Sequence, residues 1–380
     1  MDTHMIPGFN VLANPTGPLC NLNCSYCYYL EKEALFCDSK SFAMDVSTLE
    51  IFTRKYIHEQ PGKQVTFVWQ GGEPTLLGID YYKTALSLQR KYGQGKEIMN
   101  SLQTNGTLLT DAWCQFFKDN NFLIGISIDG PEAVHDRYRL DKGGKGSFKK
   151  VMHGMKLLKK HGVEFNTLTV INSLNVENPV PLYNFLKEEG SGFMQFIPLV
   201  YPLNSWSVPA VKFGQFLIAV FDEWVKRDVG KYFVQTFDAA LANEIGVPAG
   251  VCLFNGQCGN CIAIEHNGDV FSCDHFVDIA HKLGNIHHAS FKNMLEMSSQ
   301  KRFGDEKFDD LPEECHRCNV YNYCRGECPK NRVLKGINGK NNLNYLCEGY
   351  KLFFRHIGPY MKFMANEILH QRSPANVMYR

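Results

Sequence analysis

The sequence predicts an α/β chain in which parallel strands are wrapped by helices, followed by a small cysteine-rich region and a closing helix. Three observations lead there. Strand-like and helix-like stretches alternate about six times between Phe9 and Ile197. Polar, glycine-containing segments follow the ends of those strands, where α/β folds gather their chemistry. Nine of the 14 cysteines lie between Cys252 and Cys347, where regular periodicity fades.

Taken in order, residues 9–13 read as a first strand, punctuated by Pro15, Gly17 and Pro18. Residues 46–60 have helical spacing, with Leu49, Ile51, Phe52, Tyr56 and Ile57 as the apolar positions. Residues 64–69 (QVTFVW) are β-branched and aromatic, as a strand requires. A helix over 81–92, a strand over 98–103, a helix over 111–119 and a buried strand over 122–128 follow. Then come a helix over 148–161, a strand over 164–171, a helix over 181–189 and a strand over 193–197. Six such units are too few for a full eight-fold barrel, and periodicity leaves an open sheet and a partial barrel both standing. Beyond them a bridging helix is expected over 213–226, a hairpin over 262–271 turning at Asn267-Gly268, and a closing helix over 355–370.

Composition narrows the class. Hydrophobic residues make up 44% and charged residues 21%, which is ordinary for a globular protein. Forty basic residues face 39 acidic ones, which points away from nucleic-acid and membrane-surface partners. Residues 1–8 lack the pattern of a signal peptide, and no run of about 18 apolar residues exists, so a cytoplasmic protein is expected. Fourteen cysteines in a reducing compartment are not expected to form a disulfide framework. Their clustering points to oxygen-sensitive metal sites and an anaerobic setting. Cys37, Cys114 and Cys261 are expected to be plain thiols.

The loop from Cys20 to Tyr29 carries Cys20, Cys24 and Cys27 at C-x3-C-x2-C spacing. Structural zinc is closed by four ligands, and a four-iron cluster usually has four cysteines. Three thiolates leave one iron open. This loop resembles that of the radical S-adenosylmethionine (SAM) superfamily, C-x3-C-x-aromatic-C, with Tyr26 as the aromatic. The resemblance implies a partial (β/α)6 barrel over about residues 5–200, and a [4Fe-4S] cluster on these cysteines that binds SAM. Gln70-Gly71-Gly72-Glu73-Pro74 matches the superfamily's GGE motif, which places Gly72 at the SAM amino group. By the same resemblance Ser127 and Arg139 serve the SAM ribose and carboxylate, Tyr29 helps to bind SAM, and Val200 contacts the adenine. Gln70 is placed in the substrate pocket.

The C-terminal field reads Cys258-x9-Gly268-x4-Cys273, then Cys315-x2-Cys318-x5-Cys324-x3-Cys328, then Cys347. It resembles the SPASM extension of radical SAM proteins. With Cys252 as an eighth ligand, the resemblance implies two auxiliary [4Fe-4S] clusters, three clusters in all. One would take Cys252, Cys258, Cys273 and Cys328, and the other Cys315, Cys318, Cys324 and Cys347. Cys261 competes with Cys258, and a zinc ribbon is the alternative for Cys315–Cys328. Asp274, directly after Cys273, is a carboxylate that the chain forces close to a ligand. Its motif resembles that of the anaerobic sulfatase-maturating enzymes, in which this Asp is the general base; His275 is a rival.

Gln70, Tyr29, Gln195-Phe196-Ile197 and Cys273-Asp274 extend that resemblance along almost the whole chain. It implies oxidation of a Cys or Ser in an unfolded sulfatase polypeptide, at a Cys/Ser-x-Pro/Ala-x-Arg motif, to Cα-formylglycine. Reduced flavodoxin or ferredoxin would supply electrons. Phe237 and Asp238 are expected near the peptide groove. The domains are expected at 5–235 (barrel and bridging helix), 236–350 (SPASM) and 351–380 (closing helix). One alternative is another SPASM peptide modifier that forms thioether or carbon–carbon crosslinks; the roughly 19 residues before Cys20 are expected to leave no room there for a leader-binding domain. A zinc-binding scaffold without catalysis is the alternative of another class.

Overall fold

The computed structural model describes residues 8–36 and 41–380, so Cys37 lies outside the described residues. Ten strands carry the architecture: β1 (Asn10–Asn14), β2 (Gln64–Trp69), β3 (Glu97–Thr104), β4 (Phe122–Ser127), β5 (Phe165–Ile171), β6 (Phe193–Pro198), β7 (Phe233–Val234), β8 (Cys261–Glu265), β9 (Asp269–Phe271) and β10 (Lys282–Asn285). The chain divides into two compact units. No helix among the described residues is long and apolar enough to cross a membrane.

The first unit comprises Met1–Ser127, Asp136–Phe165 and Gly259–Gly304. In it β1, β2, β3 and β4 pair in parallel, with Val11 opposite Phe67, Phe67 opposite Asn100 and Leu102 opposite Ile124. Alternation along QVTFVW buries Val65, Phe67 and Trp69. The helix Val46–Glu59 lays Phe52 and Tyr56 on Phe67, at ring separations of 5.5 and 5.1 Å. Each large side chain fully buried in this way contributes about 1.5–3 kcal/mol. Local signals set the helix ends. Asp45 accepts the Thr48 N–H at 2.7 Å, Thr110 accepts that of Trp113 at 3.3 Å, and left-handed Gly162 stops the helix Phe148–His161.

The hairpin of β8 and β9 forms as expected, turning at Gly268 with φ +83°. Its place in the fold is new. β8 pairs in parallel with β1, from Asn10 opposite Cys261 to Asn14 opposite Glu265, and β10 adds antiparallel to β9. Residues far apart in sequence thereby bring the ends of β1 and β8 side by side.

The second unit comprises Ile128–His135, Asn166–Cys258 and Asp305–Arg380. β5, β6 and β7 pair in parallel within it. Asp129 is buried there and accepts the Val170 N–H at 3.1 Å, so it ties its loop to β5. Phe237, on the helix Gln235–Ile245, is fully buried among Phe221, Trp224 and Phe353 at 5.2, 5.3 and 5.8 Å. It is a core residue and not part of a groove; Asp238 beside it is exposed.

The closing helix runs Cys347–Leu369, beginning well before residue 355. Its buried row, Tyr350, Phe353, Phe354, Ile357, Met361 and Met364, starts in the first turn. Gly349 masks that start, because glycine weakens helix propensity. Packing requires it: a Cβ at Gly349 would overlap the carbonyl of Ala210, and one at Gly214 would overlap the Gly349 backbone. The helices Ala210–Arg227 and Cys347–Leu369 therefore meet backbone to backbone. We expect Gly349→Ala to cost about 1–3 kcal/mol through overpacking. Gly62→Ala, where a Cβ meets nothing within 4 Å, should stay within about 0.5 kcal/mol. Anaerobic denaturant unfolding of the two variants measures the difference.

Candidate active site

The cysteine loop leaves the end of β1 and is tied down by backbone. The Gly72 N–H donates to Gly17 O at 2.8 Å, and the Glu73 N–H donates to Leu19 O at 2.9 Å. A Cβ at Gly72 would overlap the Leu19 carbonyl, so the glycine is needed where two loops of the chain touch. The Glu73 carboxylate is fully buried. It accepts from Thr75 N at 3.1 Å, Thr75 Oγ1 at 2.6 Å, Thr104 Oγ1 at 2.8 Å and Asn105 N at 2.7 Å. Burial pushes this carboxyl up, against the pull of those donors. Glu73 thus joins the loop after β2 to the end of β3.

Within the loop, burial pushes the Cys20 thiol up to about 11 and also raises Cys27. The Leu22 N–H at 3.4 Å and the Asn105 amide at 3.7 Å both donate to Cys20 Sγ, favouring its thiolate. Arg139 does the same for Cys27. Arg139 is buried, with its guanidinium 5.6 Å from the centre of the Tyr26 ring. Cys20 under N–H influence and Cys27 under cationic influence suit a positively charged metal centre that would deprotonate them. Ser127 is buried at the end of β4, and Gln70 is half-buried directly after β2. In the other unit, Val200 is buried two residues beyond β6.

Asp274 lies in the first unit and is 5% exposed. Its Oδ1 accepts from Asn14 Nδ2 at 3.1 Å, Tyr29 Oη at 2.9 Å and Lys32 Nζ at 3.3 Å. Its Oδ2 accepts from Tyr28 Oη at 2.6 Å. Asn14 also donates to Glu265 at 2.9 Å across the β1–β8 pairing. Burial pushes the Asp274 carboxyl up, but Lys32, His275 and the Tyr28 and Asn14 donors outweigh it and hold the group well below the usual carboxylate range. Burial, then Asp274 itself, holds both tyrosine hydroxyls well above their ordinary range, so they remain donors. His275 is exposed and stands edge-on to Tyr28 at 5.9 Å.

In the second unit Cys315, Cys318, Cys324 and Cys347 line one pocket with Tyr321 and Tyr350. Burial raises Cys315 to about 11 and also lifts Cys324 and Cys347. Cys252, Cys258 and Cys328 belong to the same unit, where Lys307 and Arg332 are buried. Lys307 donates to the carbonyls of Cys252 and Leu253, and Arg332 to those of Gly326 and Lys307. Two buried cations on neutral carbonyls, with the buried acid Glu327 near Lys307, suit an anionic thiolate cluster. Cys273 and Cys261 lie in the first unit, Cys261 opening β8 opposite Asn10. Cys114 is fully buried on the helix Asp111–Asp119, and burial raises its thiol to about 11.

Residues 14–186 match the radical SAM superfamily, and residues 252–319 match SPASM, an iron–sulfur cluster-binding domain. The serine-type anaerobic sulfatase-maturating enzyme of Bacteroides thetaiotaomicron is 46% identical over 388 residues, covering 97% of this chain and 94% of its own. The chain belongs to the anaerobic sulfatase-maturating enzymes. The cysteine-type enzyme of Clostridium perfringens is 33% identical over 96% of this chain and 100% of its own. The solved structure of native anSMEcpe with AdoMet and the Kp18Cys peptide bound superposes with a TM-score of 0.87 and 33% identity, covering 95% of this chain and all of that one. The fold is thus the radical SAM partial (β/α)6 barrel with a SPASM region and a closing helix. As a sulfatase-maturating enzyme the chain is a radical SAM oxidoreductase, and its cofactors are SAM and iron–sulfur clusters.

Sequence reasoning missed Asn14, Tyr28, Lys32 and Glu265. A signal existed for two of them, since Tyr28 and Tyr29 precede Lys32 by four and three residues, the spacings at which side chains meet on a helix. Tyr29, assigned to SAM by resemblance, has its hydroxyl on Asp274 and on Asn14 Oδ1 at 3.3 Å. Gly72 supports a further expectation. Gly72→Ala should displace the cysteine loop and lose one cluster's share of iron, while the thiols of the second unit keep theirs. Iron and sulfide per chain after anaerobic reconstitution, with the EPR of the reduced protein, measure it.

Proposed function

We propose that this protein oxidises a Cys or Ser side chain of an unfolded sulfatase polypeptide, within a Cys/Ser-x-Pro/Ala-x-Arg motif, to Cα-formylglycine. The single observation that carries the reading is the buried Asp274 carboxylate, held ionised by Lys32 and placed by the chain next to Cys273. Family membership supports it, together with the peptide seen on anSMEcpe.

Cys20, Cys24 and Cys27 would hold the SAM-binding cluster, with Gly72, Ser127, Arg139, Tyr29 and Val200 around SAM and Gln70 facing the substrate. SAM bound there supplies the 5′-deoxyadenosyl radical that removes a hydrogen atom from the target Cβ. Asp274 then takes the proton of the target thiol or hydroxyl. One electron remains, and an auxiliary cluster, held on our reading by Cys252, Cys258, Cys273 and Cys328, would be its acceptor. The pocket thiols Cys315, Cys318, Cys324 and Cys347 would hold the third [4Fe-4S] cluster. An aldehyde results directly from Ser, or after hydrolysis of a thioaldehyde from Cys. Residues 236–350 would serve as the SPASM region, after the barrel and bridging helix that end at 235 and before the closing segment 351–380. Reduced flavodoxin or ferredoxin would be the electron donor, and the cytoplasm, where sulfatases are still unfolded, the site of action.

The test is anaerobic reconstitution followed by SAM, a reductant and two peptides, one with Cys and one with Ser in the motif. Mass spectrometry should find the aldehyde on at least one of them, and Asp274→Asn should lower its yield by about 100-fold or more. SAM cleaved with both peptides untouched would move the substrate to another peptide-modifying class. Unreduced yield from Asp274→Asn would remove the base assignment.

A further inference from the structure

We propose that Lys32 is the positioning residue for proton removal: it pins Asp274 by Oδ1 and by its main chain, which leaves Oδ2 as the atom that receives the substrate proton. This rests on the reading of Asp274 as the base.

The two carboxylate oxygens are used unequally. Oδ1 takes three donors, from Asn14, Tyr29 and Lys32. Among the described residues Oδ2 takes one, from Tyr28. A carboxylate offers about four acceptor sites, two on each oxygen. Oδ1 is therefore more than filled, while Oδ2 keeps a lone pair.

Lys32 also reaches the main chain, donating to Asp274 O at 3.0 Å while its ammonium pairs with Oδ1 at 3.3 Å. Holding a residue at its carbonyl and its carboxylate restricts both side-chain torsions. Lys32 is itself confined, 6% exposed, with Nζ 4.1 Å from the centre of the Tyr29 ring and 4.9 Å from that of Tyr28. The tyrosines thus serve twice, as donors to the base and as walls for the cation that orients it.

The step balances. The hydrogen atom on the target Cβ leaves to the SAM-derived radical. The thiol or hydroxyl bond to hydrogen breaks, its proton forms a new bond to Asp274 Oδ2, and its electron pair completes the double bond to carbon. The one electron left over would be accepted by an auxiliary iron–sulfur cluster held by the SPASM-region cysteines. An Asp274 free to rotate would offer Oδ2 at the wrong angle, and misplacement by about 1 Å can cost about 100-fold. The radical would then be quenched without product.

The experiment compares reconstituted wild type, Lys32→Met, Lys32→Arg and Asp274→Asn. Read out for each are iron per chain, peptide KM, and formylglycine formed per 5′-deoxyadenosine. We expect Lys32→Met to keep its iron and peptide KM while the product ratio falls by about tenfold or more. Lys32→Arg, which restores a cationic donor, should recover most of the ratio. A native ratio in Lys32→Met overturns the proposal. So does a loss of iron in Lys32→Met with no rescue of the ratio by Arg, which would make Lys32 merely structural. A native ratio in Asp274→Asn would overturn the base reading itself, and is told apart from a failure of Lys32 alone by the Lys32 variants.

Discussion

The contact between the Gly72 backbone and the carbonyl of Leu19 is the constraint on which the first unit's chemistry depends. A loop bearing three cysteines has few side chains with which to hold its own shape. Here it borrows shape from the sheet. Two N–H groups of the segment after β2 grip its carbonyls, and Glu73 carries the grip on to β3. Side-chain flexibility plays little part, because backbone meets backbone and a glycine is required at the meeting point. The same device recurs in the second unit, where Gly214 and Gly349 let two helices touch at the turn that begins with Cys347.

What could be read from the sequence was what is decided locally. The helices Asp111–Asp119 and Phe148–His161 have the bounds their caps prescribe, because Thr110 and Gly162 act within one turn. The cysteine spacings and the cysteine–aspartate pair were legible for the same reason. What was not legible depends on partners far away in the chain. Nothing in residues 261–265 announces β1 as their neighbour, so the hairpin's place in the sheet had to come from the structure. Phe237 was misjudged because an aromatic on a short helix reads alike whether it faces a groove or the triad of Phe221, Trp224 and Phe353. Gly72 was legible as a glycine needed for close approach, but the chain's own approach at Leu19 came only from the structure.

The surroundings of Asp274 show how a buried carboxylate stays ionised. Alone it would be neutralised by desolvation. Lys32 supplies the charge, and three uncharged groups, Asn14, Tyr28 and Tyr29, supply directed hydrogen bonds without further charge to bury. Each of these residues lies within or beside a motif that has another role. Asn14 ends the first strand, and the two tyrosines and Lys32 follow the last cysteine of the loop. The three thiols of the loop and the four donors to Asp274 thus come from one stretch of chain, residues 14–32.

The parallel pairing of β1 with β8 has a consequence for biosynthesis. Asn14 and Glu265, its last register pair, are 251 positions apart. A ribosome adding about 5–20 residues per second needs on the order of tens of seconds to cover that distance. Throughout that interval the first strand has one side paired and the other side open. An open strand edge is a template for any other extended chain. The nascent protein must therefore shelter β1 before its own late strand arrives, and a polypeptide stalled between the two would carry an adhesive edge where the finished enzyme carries Asp274.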